Sequence, residues 1–505
     1  MKTIFALCGT LMLTLGASAQ ARISAVPANS FHTATAKAPE PGTMFIYPER
    51  VPLKDGSFLH AERAMLFVPL NRSNPDSDVI AVEVYRFKRA AGVDQARPPI
   101  FFLHGGPSFD GLEESLAEEG YFEERWQDFT EVSDVVVISQ RGIGPSKPAT
   151  TIEVTIPPQA LDQPYSDEIA IAGFQQSLEA ERAAWEGLGV DLQGFTVLEA
   201  AEDIENTRVA LGYDKIVIIG GSFGSHWGMA YMRNYPQYVE RAILRGMEGP
   251  DHTYDHPGHL WNVYKRVAEE AEASPIFAGK VPEGGFISAV ERIVARADRE
   301  PFTVQAMGKE VLIDGEVIRQ LTRGYSGGLA NWPADIIAMD NGDFERAAMR
   351  MAARQAFSGR NYGTASYWML DCGSGITPER LAEHDADPAN NVLGRWNWWY
   401  KHGCKVWDSD LGNDFRQNFR TEIPTVIVHG TWDTSTPYEN ATELVPYFVN
   451  SKFIPVVRGP HGAIRAAFGV SENFKEALFH FAATGDMSHL PDQVELPEPV
   501  WTPPQ

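Results

Sequence analysis

One short motif constrains the fold of this 505-residue chain more than any other. Residues 220–224 read Gly-Gly-Ser-Phe-Gly and directly follow the apolar run 215–219. When a buried strand breaks into Gly-x-Ser-x-Gly and continues as a helix, the serine sits on a strained, exposed turn. The flanking glycines let neighbouring backbone approach without a Cβ clash. The sequence therefore predicts a strand–turn–helix unit that presents Ser222 as a nucleophile.

Short apolar runs ending in glycine-rich turns recur along the chain, as is typical of buried parallel strands. Helical patterns separate several of them, for instance at 198–211 and 225–235. The runs are 64–68, 79–87, 99–103, 134–138, 216–219, 241–244, 424–428 and 453–457. This alternation predicts an α/β fold with a mostly parallel, doubly wound sheet.

The stretch 251–416 has a different pattern. It contains amphipathic helical segments at 287–299 and 344–354, a hairpin-like segment at 309–317, and many aromatic residues. We predict a large, mainly helical cap inserted between two strands, with 22–250 and 417–505 forming the two parts of the sheet domain. The aromatic residues either line a substrate pocket or form the core of the cap, and the core is the favoured interpretation.

The N-terminus has the features of a secretory signal at residues 1–21. Lys2 precedes an apolar stretch at 4–15 that is too short to span a bilayer, and small residues follow it. A buried N-terminal helix is the alternative. We expect an exported protein, secreted or periplasmic.

Removal of the signal would leave two cysteines, Cys372 and Cys404. In an oxidising compartment such an isolated pair predicts a disulfide, and two free buried thiols are the alternative. No cysteine–histidine group has zinc-like spacing, so we expect no structural metal.

Composition narrows the range of partners. A net charge of −24 argues against nucleic acid and anionic membranes as partners. With 22% charged and 44% hydrophobic residues the chain is ordinary globular protein. The sequence contains no dinucleotide fingerprint or phosphate loop, so we expect no cofactor. A small-molecule or peptide substrate remains.

Two residues after later strands complete a possible acyl-transfer site. Ser222 needs a general base, and the base needs an orienting carboxylate, in the chain order Ser, Asp or Glu, His. His461 follows the last predicted strand in a Gly-Pro-His-Gly turn, and Asp433 lies in the loop after the preceding one. The alternatives are a surface-loop histidine and an Asx-turn carboxylate. Other acids, which no strand precedes, are Asp408, Asp410 and Asp414. We expect His429, beside Gly430, to be structural.

An oxyanion hole requires preorganised donors next to the nucleophile. The backbone amide of Phe223, at the start of the helix, is one candidate. The second would come from the turn 104–107, which reads His-Gly-Gly-Pro. The sequence leaves open whether Gly105 or Gly106 is the donor.

Together these motifs resemble the proline iminopeptidase and tripeptidyl aminopeptidase family of α/β-hydrolase serine peptidases. That family has His-Gly-Gly-Pro-Gly, Asp-Gln-Arg-Gly-x-Gly-x-Ser, Gly-Gly-Ser-Trp-Gly, Gly-x-x-Asp-x-x-x-Pro and Gly-x-His. The matching segments here are 104–108, 139–146, 220–224, 430–437 and 459–461. The resemblance covers 99–249 and 423–466 and is only general in the cap. It implies an α/β-hydrolase fold with Ser222, Asp433 and His461 as nucleophile, acid and base, and with Gly106 and Phe223 at the oxyanion hole.

The chain departs from the family pattern at three positions. Ser108 replaces a glycine, Ser139 an aspartate and Phe223 a tryptophan. None of these removes a catalytic atom, but together they weaken any claim that the substrate begins with proline. The family resemblance also makes Glu248 a candidate for binding a substrate ammonium, with a structural role equally open. We expect Arg141, in the family's Gln-Arg-Gly element, to brace loops.

These observations favour an exported serine aminopeptidase that releases N-terminal proline or short peptides through an acyl-enzyme. The alternative is an esterase or other small-molecule acyl hydrolase, because the serine motif and triad fit both. A binding protein without catalytic activity is the third and weakest possibility.

Overall fold

A computed structural model describes most of the chain. It covers 39–52, 58–108, 126–143, 159–164, 166–324, 328–357, 360–363, 365–394 and 397–504, and three short strands at 13–15, 19–24 and 151–155. Most of the predicted signal sequence lies outside the described residues. Within it, Leu13–Leu15 and part of Ala19–Ser24 are described as strands.

Strands and helices alternate through the first and last parts of the chain. The strands are β1 (Leu13–Leu15), β2 (Ala19–Ser24), β3 (Met44–Pro52), β4 (Phe58–Pro69), β5 (Val79–Phe87), β6 (Ile100–Leu103), β7 (Val135–Ile138), β8 (Thr151–Thr155), β9 (Ile216–Ser222), β10 (Val239–Met247), β11 (Phe302–Ala306), β12 (Lys309–Ile313), β13 (Arg360–Gly363), β14 (Thr425–Gly430), β15 (Ser451–Val457) and β16 (Val494–Glu495). The helices are α1 (Asp167–Gly187), α2 (Val197–Ala210), α3 (Phe223–Asn234), α4 (Pro257–Ala273), α5 (Gly285–Arg299), α6 (Gly315–Thr322), α7 (Trp332–Asp340), α8 (Glu345–Phe357), α9 (Ala365–Ser374), α10 (Pro378–Ala386), α11 (Asn390–Leu393), α12 (Trp398–Gly403), α13 (Asn413–Arg416), α14 (Tyr438–Leu444), α15 (Ala463–Phe468) and α16 (Glu472–Thr484). Short 3₁₀ helices lie at Trp126–Glu131, Leu192–Gly194, Pro236–Tyr238, Pro275–Phe277, Leu329–Asn331 and Val445–Tyr447.

A ten-stranded sheet organises the molecule, in the order β16-β15-β14-β10-β9-β6-β7-β5-β4-β3. The strands from β16 to β7 are parallel, and β5, β4 and β3 continue the sheet antiparallel. Every described residue of β6, β7 and β14 is buried, because helices cover both faces. Helices α2 and α3 pack on one face and α15 and α16 on the other. The predicted doubly wound α/β sheet is confirmed.

All eight predicted runs fall within strands of this sheet or overhang them by one residue. Strand β3 was missed because its sequence, with Pro48, Glu49 and Arg50, reads as a turn. It lies at the edge of the sheet, where proline and charged side chains are tolerated and discourage further pairing.

The chain leaves the sheet after β10 and returns at β14, and the intervening segment is mainly helical. It has two parts. Helices α4 to α7 enclose a separate apolar core around Tyr264, Phe286 and Trp332. By contrast, Trp368 of α9 and Trp407 belong to the cluster that covers the sheet. The prediction that the aromatic residues of the cap are mainly core holds for Trp368 and Trp407.

The predicted hairpin at 309–317 is wrong in its register. β12 pairs instead with the preceding strand β11, and the turn is at Met307 and Gly308, both with positive φ. Asp314 does not form a turn, because its side chain accepts a hydrogen bond from Val317 N at 2.9 Å and caps α6.

The structure contains the predicted disulfide between Cys372 and Cys404. It joins the end of α9 to the residue that follows α12. Among the described residues, no helix combines the length and apolar character needed to cross a membrane.

Candidate active site

Ser222 ends β9 and precedes α3, as the motif predicts, with φ 55° and ψ −132°. This left-handed conformation is strained for a residue with a side chain. The turn is tight, since a Cβ on Gly220 would lie 2.5 Å from Gly224 O, and one on Gly224 would lie 2.1 Å from Leu103 O. Both positions therefore require glycine, and together they set the serine at the carboxyl end of the central strand.

The pattern Gly-x-Ser-x-Gly also occurs at 324–328. There it follows helix α6 rather than a strand, and residues 325–327 lie outside the described residues. The strand required by a nucleophile elbow is thus missing from its described surroundings, and the assignment of the elbow to Ser222 is unaffected.

His461 and Asp433 are in direct contact. His461 Nδ1 lies 2.8 Å from Asp433 Oδ2, in the loops that follow β15 and β14. Asp433 is fully buried and also accepts hydrogen bonds from the amides of Ser435 and Thr436 and from the Thr436 hydroxyl. Burial alone would raise the pKa of Asp433, but the charge and hydrogen bond of His461 lower it overall. The pair is a carboxylate holding the imidazole with its proton on Nδ1 and Nε2 open, the tautomer a general base requires.

The end of strand β10 links this pair to the serine. Met247 is opposite Ser222 in the sheet, and a Cβ on the adjacent Gly246 would lie 2.9 Å from His461 Cε1. Arg245 donates a hydrogen bond to His461 O at 3.4 Å, and its guanidinium covers Gly221. Ser222 and His461, both among the described residues, are not hydrogen-bonded to each other. Catalytic hydrogen bonds are often long until substrate binds.

The loop after β6 lies against the serine. A Cβ on Gly105 would be 3.0 Å from Ser222 Cβ and 3.5 Å from Oγ. Gln140 holds this loop from both sides: its Nε2 donates to Gly105 O at 2.9 Å, and its Oε1 accepts from Ser108 N at 2.7 Å. Sequence reasoning noted the Gln-Arg-Gly element but not this role of Gln140. The loop positions its amides next to the elbow, where an oxyanion hole would be needed.

Arg141 is fully buried and forms structural contacts, in agreement with its predicted role. Its guanidinium makes two hydrogen bonds to the Asp203 carboxylate at 2.7 and 2.8 Å. It also donates to the carbonyl oxygens of Leu70 and Gly194. The arginine thus fastens loop segments to helix α2 and makes no described contact with Ser222, Asp433 or His461.

His429 is buried and structural as well. Its Nδ1 accepts from Met247 N at 3.2 Å, which leaves Nε2 to donate to Thr436 O at 2.7 Å. Burial lowers its pKa, so the ring is neutral. The ring therefore ties the loop that carries Asp433 to the end of β10.

Glu248 belongs to a group of three carboxylates, with Asp255 and Asp371, on the cap side of the site. Burial raises the pKa of each, to about 7 for Asp371. The charges of Asp371 and Asp255 raise the pKa of Glu248 further, and the charge of Asp433 raises that of Asp255, which Arg380 partly offsets. Tyr400 donates a hydrogen bond to Asp371 Oδ2 at 2.8 Å. We call these three residues the acidic cluster. Sequence reasoning found only Glu248, because the other two lie in the cap, outside any strand-end pattern.

The acidic cluster adjoins the elbow. Glu248 directly follows Met247, and its amide donates to the Ser225 hydroxyl, which in turn donates to Ser222 O. Helix α9 makes a second link, since Ser366 Oγ lies 2.6 Å from Ser108 Oγ in the loop after β6. Asp371 is five residues further along α9, about 7.5 Å along the helix axis. The acidic cluster is therefore a short distance from the loop that faces Ser222.

A cavity of about 390 Å³ lies in the cap beside the acidic cluster. Tyr254, His384, Asn397 and Trp398 line it together with Lys401. Asn397 also exchanges two hydrogen bonds with the backbone of Asp255. Trp398 is thus an aromatic residue of the cap that lines a pocket.

The sheet, the elbow and the neighbouring Asp433–His461 pair define the class: the chain is an α/β hydrolase of the serine hydrolase type.

Residues 98–269 match the family model described as alpha/beta hydrolase fold, and residues 390–491 match the model for TAP-like proteins. The chain is 23% identical to the tripeptidyl aminopeptidase of Streptomyces lividans over 77% of its own length and 75% of that protein. It is 29% identical to the serine protease Hip1 of Mycobacterium tuberculosis, over 37% of its own length and 36% of that protein. The identity to a proline iminopeptidase of Neisseria meningitidis is 28%, over 30% of this chain and 32% of that one. By these matches the chain is similar to tripeptidyl aminopeptidases and proline iminopeptidases of the α/β-hydrolase fold.

Proposed function

We propose that this protein is an exported serine aminopeptidase that removes N-terminal proline or short N-terminal peptides from peptide substrates. The observation that carries the proposal is the acidic cluster beside the elbow. Asp371 is buried and Glu248 and Asp255 are partly buried, so charging the three carboxylates together is costly unless a cation joins them. A substrate ammonium bound there neutralises that charge. It also fixes the distance between the N-terminus and the scissile bond.

The positions of the side chains support an acyl-enzyme mechanism. The Ser222 hydroxyl attacks the scissile carbonyl carbon while His461 Nε2 takes its proton, and Asp433 stabilises the resulting imidazolium. The oxyanion accepts hydrogen bonds from the amides of Phe223 and of Gly105 or Gly106. His461 then gives the proton to the leaving amine as the C–N bond breaks. Water, deprotonated by His461, hydrolyses the acyl-enzyme, and the proton returns to Ser222.

The length of helix α9 supports a short acyl portion. A strand rises about 3.3 Å per residue, so the roughly 7.5 Å from Ser366 to Asp371 corresponds to about two extended residues. A substrate with its ammonium at the acidic cluster and its scissile carbonyl near the loop after β6 would contribute one to a few residues. This range includes both an iminopeptidase and a tripeptidyl aminopeptidase.

Export is part of the proposal. The features of residues 1–21 are those of a secretory signal, and the Cys372–Cys404 disulfide suits an oxidising compartment. The ligand is then a peptide or a small acyl compound, and neither nucleic acid nor a membrane is required.

A substrate panel tests the proposed activity. Chromogenic anilides of proline, alanine and tripeptides, each with a free or a blocked amine, and short acyl esters would be assayed with wild type and Ser222→Ala. We expect turnover of free-amine anilides, loss of at least about 10⁴-fold in Ser222→Ala, and little turnover of blocked anilides. The chain length of the best substrate then separates the two kinds of aminopeptidase.

The esterase alternative makes the opposite prediction. Turnover of esters without any of the anilides would support a small-molecule acyl hydrolase and contradict the peptidase proposal. Activity that persists in Ser222→Ala would contradict hydrolysis at this site altogether.

A further inference from the structure

The C-terminal end of helix α16 brings together three side chains outside the candidate active site. The helix ends at Thr484, and Gly485, with φ +82°, turns the chain back. The turn places Asp486 Oδ2 3.3 Å from His480 Nε2 and 3.8 Å from His489 Nε2. The potential ligand atoms of His480, Asp486 and His489 all lie within 4.8 Å of one another. Among the described residues, no other group of three or more histidines, cysteines or acids meets this criterion.

We propose that His480, Asp486 and His489 bind one divalent transition-metal ion. In a tetrahedral zinc site with ligands about 2.0–2.1 Å from the metal, neighbouring ligand atoms lie about 3.4 Å apart. The two distances to Asp486 Oδ2 lie on either side of that value. Two imidazoles and a carboxylate suit Zn²⁺, Ni²⁺ or Cu²⁺ and not Mg²⁺ or Ca²⁺, which prefer oxygen ligands alone. All three side chains are exposed, so the ion and a water ligand can reach them.

The carboxylate of this site is held in place by its own turn. Asp486 Oδ1 accepts from Ser488 N at 2.8 Å, and Oδ2 accepts from Ser488 Oγ at 2.9 Å. The Asp486 amide donates to Thr484 Oγ1, which donates to the carbonyl of His480. Outer hydrogen bonds of this kind orient metal ligands before the ion arrives. The network ties two of the three ligands to one helix end.

The position of the site indicates a structural role. Arg241, near the start of β10, donates to Ala482 O at 2.8 Å, and its side chain also lies beside Gly485. Ser222 is opposite Met247, at the other end of the same strand, about 20 Å away. An ion here would connect α16 to the segment that follows, which supplies β16 to the sheet edge and Trp501 to the core of the cap. It would fasten this C-terminal segment and not take part in the reaction.

This proposal departs from the expectation of no structural metal. That expectation was based on cysteine–histidine spacings. The present group has a carboxylate among its ligands and spans the end of a helix, with five and then two intervening residues. The turn at Gly485, and not the spacing alone, brings the ligands together.

Calorimetric titration of the tag-free protein with ZnCl₂ tests the site, with NiCl₂ as a second probe and MgCl₂ and CaCl₂ as hard-cation controls. The variants are His480→Ala and His489→Ala, and the matched control is His60→Ala, an exposed histidine on β4. We expect one Zn²⁺ per chain in wild type and His60→Ala, and at least about tenfold weaker binding in the other two variants. Zinc should also raise the Tm of wild type in a concentration-dependent way, and not that of His480→Ala.

Three results would overturn the proposal. They are no stoichiometric Zn²⁺ binding by wild type, equal binding by wild type and both site variants, and equal affinity for Ca²⁺. Because both histidines are exposed, folding of the variants can be verified by their Tm without metal. Failure of the peptidase assay would leave this test unaffected, since its readouts are binding and Tm.

Discussion

Two buried aspartates near the elbow show opposite responses to the same burial. Asp433, in the loop after β14, has a lowered pKa, whereas Asp371, on helix α9 of the cap, has its pKa raised to about 7. Asp433 accepts hydrogen bonds from two amides and a hydroxyl within three residues and contacts His461. Asp371 accepts one from Tyr400. The number of hydrogen-bond donors and the contact with His461, and not depth, distinguish the two acids.

This contrast suggests two different functions for two buried acids. An acid whose charge is already compensated can hold a catalytic base in one tautomer throughout the reaction. An acid left without that compensation gains most when a cation arrives from outside. The charge on the sheet side of the site is compensated in the free protein, and under the proposed function a substrate ammonium would compensate the cap side.

The largest expected effect comes from removing the charge of the compensated acid. Asp433→Asn keeps the shape of the side chain but no longer favours the proton on His461 Nδ1, and kcat/KM should fall by about 10⁴-fold. Asp414→Asn, at one of the weaker candidates for the acid, is the matched control and should retain activity. Anilide hydrolysis measures both. A loss in Asp414→Asn with an active Asp433→Asn would exchange the two assignments.

The sheet side was also the part that the sequence predicted well. Apolar runs that end in glycine turns specify buried parallel strands, and parallel strands bring their carboxyl ends to one edge. Ser222, Asp433 and His461 each follow such a run, so their proximity was predictable from chain order. Glu248 was found for the same reason, since it follows β10. Edge strand β3 was not predicted, because its burial pattern is set by its position at the edge of the sheet and not by its own sequence.

The cap side could not be predicted in this way. Asp255, Asp371 and Tyr400 lie on loops and short helices whose packing depends on contacts distant in sequence. The hairpin error at 309–317 has a local origin instead, since Asp-Gly serves equally as a turn and as the start of a helix. Only the cysteine pair gave long-range information in this region, and it lies next to Asp371.

The disulfide is expected to stabilise the cap side specifically. It closes a loop with a sequence separation of 32 and connects the helix of Asp371 with that of Tyr400. The double variant Cys372→Ser/Cys404→Ser should lose about 3–4 kcal/mol of unfolding free energy on the chain-entropy model. Denaturant titration of the variant, and of wild type with and without reductant, measures this. Equal midpoints for all of these would show that the cap is held by packing alone.

A smaller and more selective effect is expected from Glu248→Gln. Losing a charged hydrogen-bond acceptor costs about 1.5–3 kcal/mol, so KM for free-amine substrates should rise about 10- to 100-fold with kcat little changed. Hydrolysis of any blocked or ester substrate should stay the same, because those substrates have no ammonium. Glu422→Gln, an exposed glutamate, is the matched control. An equal loss on all substrates would instead give Glu248 a structural role.

The smallest expected effect is the pH dependence of the affinity for a free-amine peptide, which should follow the titration of Asp371 and not that of Asp433. In the free protein Asp371 is neutral below its pKa of about 7 and charged above it. If an ammonium binds at the acidic cluster, it favours the charged form of Asp371, so the contribution of Asp371 to affinity should rise with pH by up to about tenfold per unit and level off near pH 7. Above about pH 8 the peptide amine loses its own proton and affinity should fall.

Titrating inactive Ser222→Ala with a free-amine tripeptide measures this profile. The titrations should run from about pH 5 to about pH 9, a range that includes the pKa values of Asp371 and of the peptide amine. Adding Asp371→Asn should flatten the rise below pH 7 and leave the fall above pH 8. An N-acetylated tripeptide should show neither limb, which separates the acidic cluster from titration of His461. A rise of the same steepness in the Asp371→Asn background, or with the acetylated peptide, would place the ammonium elsewhere. Asp371 would then be a buried acid of the cap with a structural role, whereas Asp433 is held by hydrogen bonds and by its contact with His461.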